Sequence, residues 1–122
     1  MDQGLLIYGY TKNEAETLVD DISSLVQKPL FVRSASGKES DTIETIINSS
    51  ANPRFVENDT KILMFVNMTD SVIQKILSSF PSSSPKPIFC GLTKHNIKWS
   101  FHELKEHLLE EKAYWEKQKN QK

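Results

Sequence analysis

The sequence predicts a mixed α/β fold, in which a four-stranded and mainly parallel sheet has helices on both faces. Short apolar runs alternate with segments of helical period four times along the 122 residues, which is typical of repeated βα units. The third run, residues 61–67, is apolar at successive positions, as a strand covered on both sides must be. We expect residues 1–122 to form a single βαβαβαβα domain with a frayed tail at 118–122.

The first unit begins with the apolar run at residues 4–9 and continues into a helix over residues 13–27. Apolar residues recur on one face of this helix at Leu18, Ile22 and Leu25. Thr11 and Glu14 have the spacing of a capping box, in which a hydroxyl and a carboxylate satisfy free amides at the start of a helix. The pattern therefore predicts a strand followed at once by a capped helix.

The second unit has the weakest pattern of the four. Residues 29–33 have the composition of a short strand, and polar, turn-forming residues flank the segment that follows. A single helical stripe is marked by Ile43, Ile46 and Ile47. A further short strand at residues 55–56 is compatible with the pattern and is not required by it.

The third strand is followed by a helix that Thr69 or Asp70 can cap. The apolar residues of this helix are Val72, Ile73, Ile76, Leu77 and Phe80. Residues 78–87 then form a loop, because their prolines interrupt a helix and their serines compete for backbone hydrogen bonds.

The fourth strand spans residues 87–93 and leads into a long helix that starts near Ser100. Ser100 and Glu103 have the spacing of a second capping box. The apolar stripe of this helix consists of Phe101, Leu104, Leu108 and Trp115.

Parallel strands joined by helices require right-handed crossovers, and we favour the strand order 2-1-3-4. With all strands parallel, the crossovers reverse between the first and third strands, which predicts a crevice where residues 9–11 face residues 67–69. The loop after the fourth strand lies beside this crevice, and Lys94 near a capped helix start is suited to a small anion. The candidate ligand-binding residues are Tyr10, Thr11, Asn67, Thr69, Thr93, Lys94, His95 and Asn96.

The composition argues against several classes of function. The net charge is −1, so the chain has no field that would gather nucleic acid or anionic lipid. No apolar run approaches the roughly 20 residues of a membrane span, and the amino terminus lacks the pattern of a signal peptide. With one Cys the chain has no internal disulfide. We expect a cytoplasmic protein that binds neither nucleic acid nor membranes.

The reactive side chains do not form a catalytic pattern. His102 and His107 resemble a helical zinc motif, but a separation of five positions places them about 140° apart around a helix. We expect two solvated pairs instead, His102 with Glu106 and Glu103 with His107. Cys90 stands among apolar neighbours, and burial would raise the pKa of its thiol and leave it inert.

The four glycines of the chain do not form a phosphate-binding loop. A phospho-receiver domain has a similar topology, but its acidic positions are held here by Gly9, Tyr10 and Asn67. No acid–base pair with plausible mutual geometry can be named. We therefore expect no metal, no cofactor and no catalytic residue.

The final helix has two aromatic residues, Tyr114 and Trp115, in an otherwise charged stretch. Two interpretations are open. If the helix extends beyond the sheet, its own chain cannot cover these rings, and a second subunit or another protein is the natural partner. Trp115 also continues the apolar stripe of the helix, which would place it in the core.

Residues 87–104 read Pro-Ile-Phe-Cys-Gly-Leu-Thr-Lys-His-Asn-Ile-Lys-Trp-Ser-Phe-His-Glu-Leu, and they are followed by Leu108, Leu109, Glu110, Glu111 and Tyr114. A strand ending in Leu-Thr, an Asn, a Trp, a cap and an acidic leucine-rich helix resemble a family of small bacterial proteins known as domain of unknown function 3783. The resemblance covers roughly the second half of the chain. It implies no catalytic residues, because the family has no assigned activity.

We interpret the chain as a small α/β binding domain without enzymatic activity. In the favoured hypothesis it associates with a protein partner or with its own copy, as in a homodimer, and uses its last helix as the surface. In the alternative hypothesis it binds a small ligand or anion in the crevice at the carboxyl ends of the strands.

Overall fold

A computed structural model describes residues 2–49, 53–80 and 85–120. Residues 81–84 of the predicted loop and the last two residues of the predicted tail lie outside the described part of the chain. Strands and helices alternate as predicted: β1 (Gly4–Tyr8), α1 (Lys12–Val26), β2 (Phe31–Ser34), α2 (Ile43–Ile47), β3 (Ile62–Val66), α3 (Asp70–Ser78), β4 (Ile88–Gly91), a 3₁₀ turn (Asn96–Lys98) and α4 (Phe101–Asn120).

Hydroxyl side chains define where the helices begin. At the start of α1, the Glu14 N–H donates to the Thr11 hydroxyl at 3.2 Å, and the Thr11 N–H donates to the Glu14 carboxylate at 3.0 Å. This reciprocal pair is the predicted capping box. The other helices start on a single hydroxyl cap at Thr42, Thr69 and Ser100. The predicted caps of α1 and α3 are confirmed, whereas Ser100 caps α4 through its hydroxyl, and no reciprocal bond from Glu103 is seen among the described residues.

The strands form one sheet in the predicted order β2-β1-β3-β4. β1 is parallel to β2 and β3 is parallel to β4, whereas β1 and β3 are antiparallel. The mainly parallel sheet is confirmed, but the expectation that all four strands run the same way is wrong at the centre. β1 and β2 therefore end at one edge of the sheet, named here the first edge, and β3 and β4 end at the opposite or second edge.

The reversal arises in the connection between β2 and β3. After α2, residues 53–57 lie beside β2, where the Ser34 hydroxyl donates to the Arg54 carbonyl. Glu57 then forms a parallel bridge with Gly9, just past the end of β1. Because this segment runs in the direction of β1, the chain stands at the first edge when β3 begins, and β3 must run back. Residues 55–56, the optional extra strand of the sequence pattern, lie in this segment but form no strand, and the segment sets the direction of β3.

Both faces of the sheet are covered by helices, as predicted. α1 and α3 pack on one face, and α2 and α4 pack on the other. Every residue of β1 and β3 is buried, which explains why both strands are apolar at successive positions. Burial of this apolar surface is the main stabilising contribution to the fold.

Residues 4–47 and 62–105 repeat one βαβα unit around an approximate two-fold axis through the centre of the sheet. Leu6 lies opposite Met64 at the middle of the antiparallel pair. In both parallel pairs, the first residue of one strand lies opposite the first residue of its neighbour. Equivalent residues of β1 and β3 are therefore 58 positions apart, as Leu6 and Met64 are, and the first residues of β2 and β4, Phe31 and Ile88, are 57 apart.

Backbone hydrogen bonds across the axis show the same relation. The Ile43 N–H donates to the Trp99 carbonyl, and the Phe101 N–H donates to the Asp41 carbonyl, each at 2.9 Å. α2 and α4 thus begin side by side at equivalent positions. They differ in length, since α2 has 5 residues and α4 has 20.

Candidate interaction surface

The antiparallel centre of the sheet separates residues that the sequence placed in one crevice. Tyr10 and Thr11 follow β1 at the first edge, whereas Asn67 and Thr69 follow β3 at the second edge. The expectation of a single crevice is therefore corrected, because such a crevice requires β1 and β3 to run the same way. The two turns occupy equivalent positions about the two-fold axis, at opposite edges.

At the first edge, both predicted side chains make contacts within the fold. Tyr10 is fully buried, and its hydroxyl donates to the Pro85 carbonyl. Burial raises the pKa of Tyr10 well above its ordinary value, and the charge of Glu14 adds to this shift. The Thr11 hydroxyl caps α1. Both side chains therefore have a structural role within the fold.

At the second edge, the loop after β4 satisfies its own polar groups. The Thr93 N–H donates to Asn96 Oδ1 at 2.8 Å, and Asn96 Nδ2 donates to the Gly91 carbonyl at 2.9 Å. Asn96 is consequently buried, whereas Lys94 and His95 are exposed at the tip of the loop.

Asn67 and Thr69 also have structural contacts at this edge. Asn67 Nδ2 donates to the Asp2 carbonyl at 3.0 Å, and Thr69 caps α3. A groove of about 550 Å³ opens nearby, and Asn67 is the single member of the predicted set among the described residues that line it. The structure does not bring the eight candidates into one site, and their role as ligand-binding residues stays a prediction.

Cys90 lies on β4 and faces the helix α4 side of the sheet. Burial raises the pKa of its thiol to about 12, and the charge of Glu111 adds to the shift. The thiol is therefore protonated at neutral pH, as the apolar neighbours predicted. In the part of the chain that the structure describes, no group of three or more His, Cys, Asp or Glu side chains is placed to hold a metal ion.

The histidines of α4 have different neighbours. His102 Nε2 lies 3.6 Å from a carboxylate oxygen of Glu106, which confirms the predicted pair. His107 stacks on the ring of Trp99, with ring centroids 4.5 Å apart. The predicted pair of Glu103 with His107 is thus replaced by an aromatic contact, because the indole ring covers the imidazole face.

The second part of α4 extends beyond the sheet. Leu104 is buried and Leu108 is half-buried, whereas every residue from 110 to 118 is exposed. Tyr114 and Trp115 are 57% and 61% exposed. Their rings contact each other edge to face, with centroids 5.5 Å apart. Of the two open interpretations, the extended helix is therefore correct, and Trp115 lies outside the core of its own chain. Residues 110–118 are named the overhang.

Charge is distributed unevenly along the overhang. Glu110 precedes Tyr114 by one helical turn, and Lys117 follows it by about one turn, so the three side chains share one stripe. Glu111 is related to Trp115 in the same way. Along this stripe Tyr114 therefore has Glu110 on its amino-terminal side and Lys117 on its carboxyl-terminal side, and Lys112 and Glu116 add the opposite charge on each side.

A polar pocket of about 250 Å³ at the first edge is not among the predicted sites. The Tyr8 hydroxyl donates there to Glu39 Oε2 at 3.1 Å. One feature of the sequence indicates this pocket: the buried strand β1 ends in the polar Tyr8, whereas β3 ends in the apolar Val66. The other walls come from distant segments, so no spacing in the sequence reveals them. The pocket, named the Tyr8 pocket, is lined by Tyr8, Ser36, Glu39, Arg54, Val56 and Asn58, together with Gly37.

These features define a mixed α/β domain of two related halves with an exposed aromatic helix end. Residues 61–115, from β3 to Trp115, match the family model described as Domain of unknown function (DUF3783). The predicted resemblance is confirmed over this second half of the chain. No curated protein and no solved structure matches the chain. Among the described helices, none has both the length and the apolar composition needed to cross a membrane.

Proposed function

We propose that the protein is a non-enzymatic binding domain that associates with a second copy of itself through the overhang of α4. The observation that carries this proposal is the exposure of Tyr114 and Trp115 beyond the sheet. Tyr and Trp supply large contact areas and dominate the energetics of many interfaces. We further propose that the protein works in the cytoplasm, where the lone thiol of Cys90 stays reduced.

Charge complementarity supports a second copy as the partner. Two α4 helices that run in opposite directions and cross at Tyr114 place Glu110 and Glu111 of one copy near Lys117 of the other. A parallel pair would instead place glutamates beside glutamates, which is unfavourable. An antiparallel pair is closed by a two-fold axis, the commonest symmetry of soluble oligomers.

The expected association is reversible. A helix of 20 residues is about 30 Å long, and the overhang is roughly half of it. Two such segments bury less than the approximately 1,200 Å² of a standard stable interface. We therefore expect a dissociation constant on the order of micromolar, with a folded monomer at low concentration.

Sedimentation velocity over a wide range of protein concentration tests the proposal. The natural protein should pass from monomer to dimer, whereas a Tyr114→Ala/Trp115→Ala variant should stay monomeric with an unchanged fold. Leu77→Ala is the matched control, because Leu77 is an apolar residue of α3 that is 37% exposed. A natural protein that is monomeric at every concentration, or a double variant that dimerises normally, contradicts the proposal.

The antiparallel geometry has a separate test. Glu110→Lys and Lys117→Glu should each weaken dimerisation, because each places like charges across the pair. The combined Glu110→Lys/Lys117→Glu variant should restore it, since opposite charges face each other again. High salt should weaken the natural dimer. If the combined variant stays weak while the aromatic variant is monomeric, self-association stands and the antiparallel arrangement is wrong.

A further inference from the structure

Hydrogen bonds hold together the backbone segments that surround the Tyr8 pocket. The Ser34 hydroxyl donates to the Arg54 carbonyl, and the Val56 N–H donates to the Ser36 hydroxyl at 3.3 Å. The Ser36 N–H donates in turn to the Ser34 hydroxyl at 3.2 Å. Both serines are buried, so hydrogen bonds shielded from bulk water hold Arg54 and Val56 against the end of β2.

The polar residues that line this pocket pair incompletely with one another. Glu39 Oε2 accepts from the Tyr8 hydroxyl, but Glu39 and Arg54 form no ion pair with each other although both line the pocket. Asn58 Oδ1 accepts from the Thr60 N–H at 2.9 Å, which fixes the orientation of the amide. Asn58 Nδ2 is then 3.5 Å from the Tyr8 hydroxyl, too far for a strong hydrogen bond.

The fold does not require this arrangement. In the second half of the chain, β3 ends with the apolar Val66 at the position of Tyr8. The loop there turns its polar side chain inward, because Asn96 bonds to the backbone at Thr93 and Gly91. The same unit thus folds without a tyrosine, a glutamate and an arginine lining one pocket.

We propose that the Tyr8 pocket binds a small zwitterion with one carboxylate and one ammonium group, the chemistry of a free α-amino acid. The Arg54 guanidinium matches the two oxygens of a carboxylate. The Glu39 carboxylate accepts hydrogen bonds from the ammonium, and the Tyr8 hydroxyl orients this carboxylate by donating to its Oε2 atom. Val56 is 49% exposed and provides an apolar contact for a short side chain.

The size of the pocket agrees with such a ligand. Its volume of about 250 Å³ is below the range of about 300–1,000 Å³ that is typical of drug-sized ligands. A molecule of a few heavy atoms fits, whereas a nucleotide does not. This binding is independent of the overhang, which contributes no side chain to the described lining of the pocket.

Amide chemical shifts of the labelled full-length protein, titrated with L-alanine, glycine and L-serine, test the proposal. Saturable shifts should be confined to residues 36–39 and 54–58, and residues 93–96 should not respond. Propionate and ethylamine, which have one charged group each, should bind more weakly by about tenfold or more. The charge-assisted contacts account for this difference.

Two variants test which side chains bind the carboxylate and the ammonium of the ligand. Arg54→Gln and Glu39→Gln should each weaken L-alanine binding by roughly 10- to 100-fold while the amide spectrum elsewhere stays unchanged. Arg54 is exposed, so its replacement leaves the fold intact even if the Glu39 variant does not fold. Lys94→Ala at the second edge and the Tyr114→Ala/Trp115→Ala variant are controls that should bind as the natural protein does.

Four results overturn the proposal. The first is the lack of saturable shifts with all three amino acids. The second is propionate binding as tight as L-alanine binding, which would make the pocket an anion site. The third is natural affinity in the Arg54→Gln variant. The fourth is a set of shifts at residues 93–96 that Lys94→Ala abolishes.

Discussion

In the first half of the molecule the last helix ends after 5 residues, whereas its counterpart in the second half continues for 20. Both helices start at equivalent hydroxyl caps and exchange backbone hydrogen bonds across the two-fold axis. Ile46 of α2 and Leu104 of α4 are equivalent, and both are buried. The overhang of α4 therefore lies outside the packing that the two helices share, which supports the proposal that it forms an interface.

The two edges of the sheet differ in a similar way. The second edge closes its loop around the buried amide of Asn96, while the first edge leaves Glu39 and Arg54 facing a pocket. Each half thus adds one surface to a common unit: a polar pocket in the first half and an aromatic helix end in the second.

The largest expected effects come from the shared core. Ile46→Ala and Leu104→Ala should each lower the free energy of unfolding by about 2–5 kcal/mol, because each leaves a cavity at an equivalent buried position. Urea denaturation should show one transition for both variants, since the two halves share one sheet. Two separate transitions in the Ile46→Ala variant would mean that the halves are independent units and would break the comparison.

The turns after β1 and β3 provide a second comparison between the two halves. Gly9 has a φ of +90° and Asn67 has a φ of +58°. A Cβ at Gly9 would overlap the Thr60 carbonyl oxygen, so Gly9→Ala should cost more than the about 1–3 kcal/mol of backbone strain alone. Asn67→Gly should change the free energy of unfolding by no more than about 1 kcal/mol, because glycine accepts positive φ. Equal losses in the two denaturation curves would show that the turns are not constrained differently.

Titration distinguishes the same two turns. Burial raises the pKa of Tyr10 above its ordinary value of 10.0, and the equivalent Met68 does not titrate. The neutral Tyr10 hydroxyl stabilises the folded chain fully below pH 10. This contribution is lost as the pH rises toward the folded-state pKa, because Tyr10 then ionises in the unfolded chain and not in the folded one. Tyr10→Phe should cost about 1 kcal/mol at neutral pH and reduce this alkaline loss.

Urea unfolding of both proteins at several pH values checks the prediction. The two stability curves should converge above pH 10. A residual slope is expected in the variant, since burial and the hydrogen bond to Glu39 also raise the pKa of Tyr8. Curves that stay parallel would show that Tyr10 ionises equally in the folded and unfolded chains.

The smallest expected effect lies in the overhang. Tyr114→Ala/Trp115→Ala should change the free energy of unfolding of the monomer by less than about 0.5 kcal/mol per site, because both rings are exposed. Leu108→Ala, which removes a half-buried side chain of the same helix, should cost more. Chemical denaturation at low protein concentration measures both. A loss as large as that of Leu104→Ala would place Trp115 in the core.

Local patterns in the sequence predicted much of this fold. The capping box of Thr11 and Glu14, the buried start of the α4 stripe at Phe101 and Leu104, and the strand order follow from local spacing and crossover rules. The direction of β3 did not, because it depends on residues 53–57, whose contacts with Ser34 and Gly9 are long-range. The resemblance of the second half was found because its strand, cap and helix are contiguous.

The candidate sites were predictable to different degrees. Tyr114 and Trp115 stood out as aromatic residues in a charged helix, but only the length of α4 relative to the sheet shows that they are exposed. The Tyr8 pocket joins Tyr8 to Glu39 and Asn58, which are 31 and 50 positions away. Contacts between residues so far apart leave no periodic pattern in the sequence.

The fluorescence of Trp115 in a Trp99→Phe variant, followed against protein concentration, tests the central claim most directly. We predict emission typical of a water-exposed indole at low concentration and a shift to shorter wavelength as the dimer forms. Emission that stays at long wavelength up to the highest soluble concentration would contradict the account. So would short-wavelength emission in a sample that sediments as a monomer, because its own chain would then cover Trp115.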